Sequence, residues 1–259
     1  MGIGSEVRRR PGETMLMARL AQAPWWLIII LLLGAIVLFS MLQSPEYTQA
    51  LTYLLRGVGL TIELSVLSYA AAMVIGLIAG LGRVSRNTII YTISTVYVEI
   101  IRGVPLLVII IYAQFVLAPM LGTNRNPLLS GIMALAIGYG AYLAEVYRAG
   151  IESIERGQME AARSLGMSYP QAMRHIILPQ AIRRVLPPLG NDFIAMLKDS
   201  SLVSAIAVNE LTKLGQIEAA RTFNTFRTFN AVAILYLILT LLLSLGVRVI
   251  ERRTSGGKR

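Results

Sequence analysis

Asp192, Lys198, Asp199 and Glu210 interrupt a stretch that is otherwise largely apolar, residues 187–211. Asp192 and Asp199 are seven residues apart and Glu210 follows eleven later. A continuous helix therefore holds all three carboxylates within about 20° of one direction, with Lys198 turned away by about 100°. Counted from Pro187 at about 1.5 Å per residue, Asp199 stands roughly 18 Å along, near the middle of a hydrocarbon core roughly 30 Å thick. An ionisable group at that depth is costly. Two uses would justify it: tying helices together as neutralised pairs, or lining a water-accessible pathway with Asp192, Lys198, Asp199 and Ser200. Tyr142 and Glu145 share a face of the preceding apolar segment and suit packing or a pathway equally. Glu99 and Arg102, three apart on another segment, suit a structural intrahelical ion pair. His175, the only histidine, falls in a polar helix and reads as a surface residue.

Nothing for covalent or hydrolytic chemistry accompanies these groups. The chain has no glycine-rich phosphate loop closed by lysine, no zinc-protease helix and no serine nucleophile elbow. No carboxylate–histidine group has metal-ligand spacing, and cysteine is absent, which removes thiolate ligands and nucleophiles. Neither an enzyme nor a metal site is expected.

The elements that position these residues follow from composition. With 55% hydrophobic and 15% charged residues and a mean hydropathy of +0.64, the chain is too apolar for an ordinary soluble domain, and the bilayer is its natural solvent. A net charge of +10 raises nucleic acid as a partner. The basic residues flank apolar runs rather than interleaving with aromatics on one surface, so no nucleic acid is expected.

Six spans are expected in an all-α integral membrane protein. A polar tail, residues 1–23, precedes a first span at 24–42, opened by Trp25 and Trp26 at the interface. No small-residue cleavage site follows it, so it reads as an uncleaved helix rather than a signal peptide. After a polar link come spans at about 58–82, 97–120, 128–150, 187–211 and 230–250, then a basic tail, residues 251–259. Gly76 and Gly80, four apart, allow close approach of another helix, and Pro105 is expected to kink the third span. Assigning lysine and arginine to alternate sides puts eighteen on one side and five on the other. The positive-inside rule then places both termini and residues 151–177 in the cytoplasm.

Residues 151–177 have their own grammar. Ile151, Ile154, Met159, Ala162 and Leu165 fall at helical spacing, and Gly166 follows where a left-handed cap is wanted. Ser168 and Gln171 have the form of a capping box, with Pro170 in the first turn. A second short helix is expected from there to just before Pro179. Glu160-Ala161-Ala162, Gly166, Ile176 and Leu178-Pro179 are spaced over twenty residues in a pattern that resembles the cytoplasmic EAA loop of ABC importer membrane subunits. Ala141 to Glu145, Arg148, Gly150-Ile151, Gly157-Gln158, Pro187-Pro188, Asn191 and Lys198 to Leu202, with Glu99 to Gly103 and Pro105 to Val108 upstream, are similar to the polar amino acid branch of that family.

The resemblance covers roughly residues 54–250. It implies the type I importer (MetI-like) transmembrane fold and ATP-driven alternating access across the cytoplasmic (inner) membrane of a prokaryote. It assigns ATPase coupling to Glu160, Ala161, Ala162, Gly166, Leu178 and Pro179. It implies as partners a second permease subunit, identical or related, two ATP-binding cassette ATPases that hold the ATP and magnesium, and an extracytoplasmic amino-acid-binding protein. This chain itself would bind no cofactor. It further implies that the fifth core segment lines the route, where Asp199, with Ser200 and Lys198, would meet a zwitterionic amino acid. A self-contained channel or ion-coupled carrier, with the loop only structural, is the alternative.

Overall fold

The computed structural model describes residues 43–122 and 126–254, together with residues 29, 32, 34–36, 39 and 41. The chain divides into two units, Met1–Thr48 and Gln49–Arg259. Most of the expected first span, and both tails apart from residues 251–254, lie outside the described residues. Within the first unit the described positions before Gln43 are helical.

The described residues are mostly helical, with no strand among them. The helices are α1 (Pro45–Arg83), α2 (Thr88–Gly103), α3 (Leu106–Met120), α4 (Pro127–Glu152), α5 (Arg156–Ser164), α6 (Tyr169–Ala172), α7 (Leu178–Asp199), α8 (Leu211–Thr222) and α9 (Thr225–Thr254). By length and apolarity α1, α4 and α9 can each cross a bilayer, and α2 with α3 can do so as one bent pair. The polar link expected before residue 58 is instead the start of α1. That helix has 39 residues, about 58 Å at 1.5 Å each, well beyond a hydrocarbon core of about 30 Å.

Pro105 does more than kink its span. It leaves α2 and α3 at 103° to one another, because a residue before proline is pushed out of the helical region, and Val104 is extended at φ −105°, ψ 134°. Glu99 and Arg102 therefore stand in the last turn of a helix that starts at Thr88, not in the first turns of one starting at Tyr97. Other prolines leave their helices unbroken: Pro187 and Pro188 lie inside α7, and two more follow a π turn. A π turn over Ala113–Leu117 precedes Pro119, and another over Met173–Ile177 precedes Pro179. Proline offers no N–H and its ring collides with the carbonyl four residues back; the wider turn accommodates both. The expected stop before Pro179 is thus absent, and α6 runs through the π turn into α7.

The expected span at 187–211 is also not one helix. α7 ends at Asp199, a 3-10 segment follows over Ser200–Ile206, and Ala207 takes the left-handed conformation at φ 62° before α8 begins. Packing explains why this is tolerated: Val203 and Ile206 are buried in one cluster with Leu64, Ile110 and Leu135 of α1, α3 and α4. A second cluster, around Tyr69, Tyr139, Leu143 and Met196, joins α1, α4 and α7. The close approach expected at Gly76 and Gly80 is made against α4. A Cβ on Gly76 would fall 2.6 Å from Leu143 Cβ, and one on Gly80 would fall 2.8 Å from the Ala144 carbonyl oxygen.

Candidate functional site

The polar element at residues 151–177 is a helix-turn-helix built from local caps. α4 ends at Glu152, residues 153–155 turn the chain, and α5 ends in a Schellman motif. Gly166, at φ +82°, donates its N–H to the Arg163 carbonyl at 3.0 Å, and Met167 donates to that of Ala162 at 3.1 Å. Only glycine holds that φ without strain. The capping box forms as expected: Ser168 N–H donates to Gln171 Oε1 at 2.8 Å, and Gln171 N–H to Ser168 Oγ at 3.4 Å. Ile151, Ile154 and Met159 pack with Met173, Ile176, Ile177 and Ala181. Of the six residues to which the resemblance assigns coupling, Ala162 is buried while Glu160, Ala161, Gly166, Leu178 and Pro179 are exposed. One face of the hairpin is thus spent on the protein, and the other leaves a carboxylate and a glycine turn exposed.

The second candidate region lies along α7. Asp192 and Asp199 remain on one helix and are half-buried, and Lys198 is exposed. Asp199 Oδ2 accepts the Tyr139 hydroxyl at 2.7 Å. Phe193, next to Asp192, stacks on Tyr69 with ring centroids 4.8 Å apart. Ser200 is buried, and its hydroxyl donates to the Leu197 carbonyl at 2.7 Å. Glu210 does not join this acidic face, because the helix breaks before it. It is fully buried as the N-cap of α8, accepting Thr212 N–H at 2.8 Å, Lys213 N–H at 2.9 Å and the Tyr236 hydroxyl at 2.8 Å.

The Glu99–Arg102 pair is replaced by longer-range contacts. Glu99 lies 3.6 Å from Arg83, and the Arg102 guanidinium stands 5.5 Å over the Tyr142 ring. Arg83 also pairs with Glu145, which takes a two-nitrogen contact from Arg148 at 2.8 and 3.1 Å; Arg148 in turn reaches Glu152. Glu145 is therefore the hub of a network joining α1, α2 and α4 just before the chain enters α5. Among the described residues no group of histidines or carboxylates is placed to hold a metal.

Residues 72–256 match the family described as "Binding-protein-dependent transport system inner membrane component". The chain belongs to this family. It is a permease subunit of an ABC importer, a transport subunit and not an enzyme. The glutamine transport system permease protein of Escherichia coli K12 is 40% identical over 205 residues, covering 79% of this chain and 94% of that one. A probable glutamine ABC transporter permease of Bacillus subtilis is 42% identical over 193 residues, covering 74% and 89%. Among solved structures, an amino acid ABC transporter crystallised with histidines matches at a TM-score of 0.74 and 38% identity, covering 80% of this chain and 95% of that one. The all-helical architecture expected from the apolar runs is present among the described residues, and the importer fold implied by the resemblance is the fold of this family.

Sequence reasoning missed Arg83 as the partner of Glu145, Tyr139 as the partner of Asp199, and the α8 segment. The first two join residues about sixty positions apart, and no local spacing announces them. Within α8, Glu218 is buried and hydrogen-bonded to Arg221, which holds the guanidinium pKa above its ordinary value.

Proposed function

We propose that this permease moves polar amino acids inward across the cytoplasmic membrane of a prokaryote, driven by separate ATPases docked on α5 and α6. The observation that carries the reading is the two-sided hairpin. Its apolar face is packed on α7, and its outer face offers Glu160 for a polar contact and Gly166 for close approach to a groove. Six spans, the fifth broken after Asp199, are our reading of the apolar runs, and the eighteen-to-five charge census supports placing both termini and the hairpin in the cytoplasm. Two such subunits, identical or related, would enclose the pathway beside two ATPases carrying ATP and magnesium, with a binding protein delivering the amino acid from outside. ATP shifts the equilibrium because it binds the two states of the assembly with different affinity, and the hairpin transmits that difference.

The amino acid class rests on the glutamine permeases and the histidine-bearing structure among the relatives. Asp192, Lys198, Asp199 and Ser200 with Tyr142 and Glu145 are the pathway residues we propose. Asp199, fixed by Tyr139, supplies a carboxylate suited to an ammonium group, and exposed Lys198 supplies a cation suited to a carboxylate. The test is uptake of a panel of labelled amino acids into proteoliposomes holding the assembled complex, with Asp199→Asn alongside. ATP-dependent uptake of polar amino acids, weakened in Asp199→Asn, is expected. Normal transport by that variant would remove Asp199 from the pathway, and uptake without an ATPase would remove the importer reading.

A further inference from the structure

The turn between α4 and α5 is three residues long, and by itself it is a soft joint between the docking hairpin and the membrane. The structure stiffens it from α7. Arg184 Nη1 donates to the Ser153 carbonyl, at the C-cap of α4. There a cation satisfies an orphan acceptor and complements the helix dipole. One turn back, Gly150 lies so close to α7 that a Cβ would fall 2.1 Å from Val185 Cγ2. Gln180 reaches Gln158 of α5 at 3.4 Å, and the apolar cluster around Ile154, Ile177 and Ala181 fills the angle between the helices.

The same two helices are fastened again deep in the fold, where Tyr139 of α4 donates to Asp199 of α7. From Arg184 to Asp199 is about 22 Å along α7 at 1.5 Å per residue. Between these points Tyr139 and Leu143 pack with Met196, Leu189 and Phe193. Immediately beyond Asp199 the helix gives way to the 3-10 segment and left-handed Ala207. A pair of helices fixed at both ends and ending at a break is a lever with a joint.

We infer that Arg184 is a positioning residue of the transport cycle: its bond to the Ser153 carbonyl makes α5, α4 and α7 move as one body, so that a displacement of the docking hairpin is delivered to Asp199. This rests on the proposed function and names the residue through which coupling passes.

The test uses the complex assembled with its ATPase and binding protein. Because the chain has no cysteine, S164C in α5 and N191C in α7 are its only thiols, and spin labels are confined to one copy of it by using cysteine-free partners and, where the second permease subunit is identical, an unlabelled second copy. Two quantities are read: the width of the distance distribution between the labels, and amino acid taken up per ATP hydrolysed. In Arg184→Ala the distribution broadens, ATP hydrolysis continues, and uptake per ATP falls. Arg184→Lys, which keeps a cation at the carbonyl, restores both. A distribution as narrow in Arg184→Ala as in the unsubstituted chain overturns the inference whatever the uptake, as does parallel loss of hydrolysis and uptake. Absence of ATP-driven uptake by the unsubstituted complex is instead a failure of the importer reading, and the distance measurement still decides the role of Arg184.

Discussion

The docking hairpin at residues 153–177 and the broken segment at residues 199–211 are both polar interruptions in an apolar chain, yet they are built in opposite ways. The tip of the hairpin closes on itself: Gly166 ends one helix, Ser168 and Gln171 start the next, and each of those bonds joins residues no more than five apart. The broken segment is held from a distance. Leu211 N–H donates to Thr61 Oγ1 at 3.1 Å, and Tyr236 donates to Glu210. The tip of the hairpin is thus built locally while its base is held from α7, whereas the break inside the fold is defined by the helices around it.

This contrast fixes the order of two expected effects. Glu210→Ala removes a buried acceptor of three hydrogen bonds and should destabilise the purified protein by on the order of 3 kcal/mol, read as a fall in thermal midpoint in detergent. Glu210→Gln, which keeps one acceptor oxygen, should lose less. Were Glu210 on an exposed acidic face, as periodicity alone suggests, the change would stay within about 0.5 kcal/mol. Ser168→Ala should cost about 1 kcal/mol or less, the usual worth of an N-cap, and should loosen only the hairpin. Faster proteolysis between α5 and α6 at an unchanged global midpoint is the sign of that; a global midpoint lowered as far as by Glu210→Ala would erase the distinction.

What could be read from the sequence follows the same division. The C-cap at Gly166, the capping box and the glycine approach at Gly76 and Gly80 obey rules that act within a few residues or need only a missing Cβ, and all are present. The ends of α4 were legible because its apolar run is bounded by Pro127 and by the charged residues that follow. Periodicity failed where the chain departs from 3.6 residues per turn. The π turn before Pro179 carried a helix past the proline where a stop was expected, and the 3-10 segment after Asp199 ended a helix that no proline or glycine stops. The charge pairs failed for another reason. Local spacing offered Glu99 to Arg102, but Arg83, brought in by the packing of α1 on α4, lies within reach of both Glu99 and Glu145 and replaces the local pair.

The central claim is that the hairpin, through its outer face, couples an external ATPase to this permease. The most direct test is Gly166→Trp in the assembled complex, with membrane insertion checked by extraction and labelling. A bulky side chain at a left-handed position on the exposed turn should abolish ATP-driven amino acid uptake while the protein remains inserted. Normal ATP-driven uptake by the inserted variant would contradict the account.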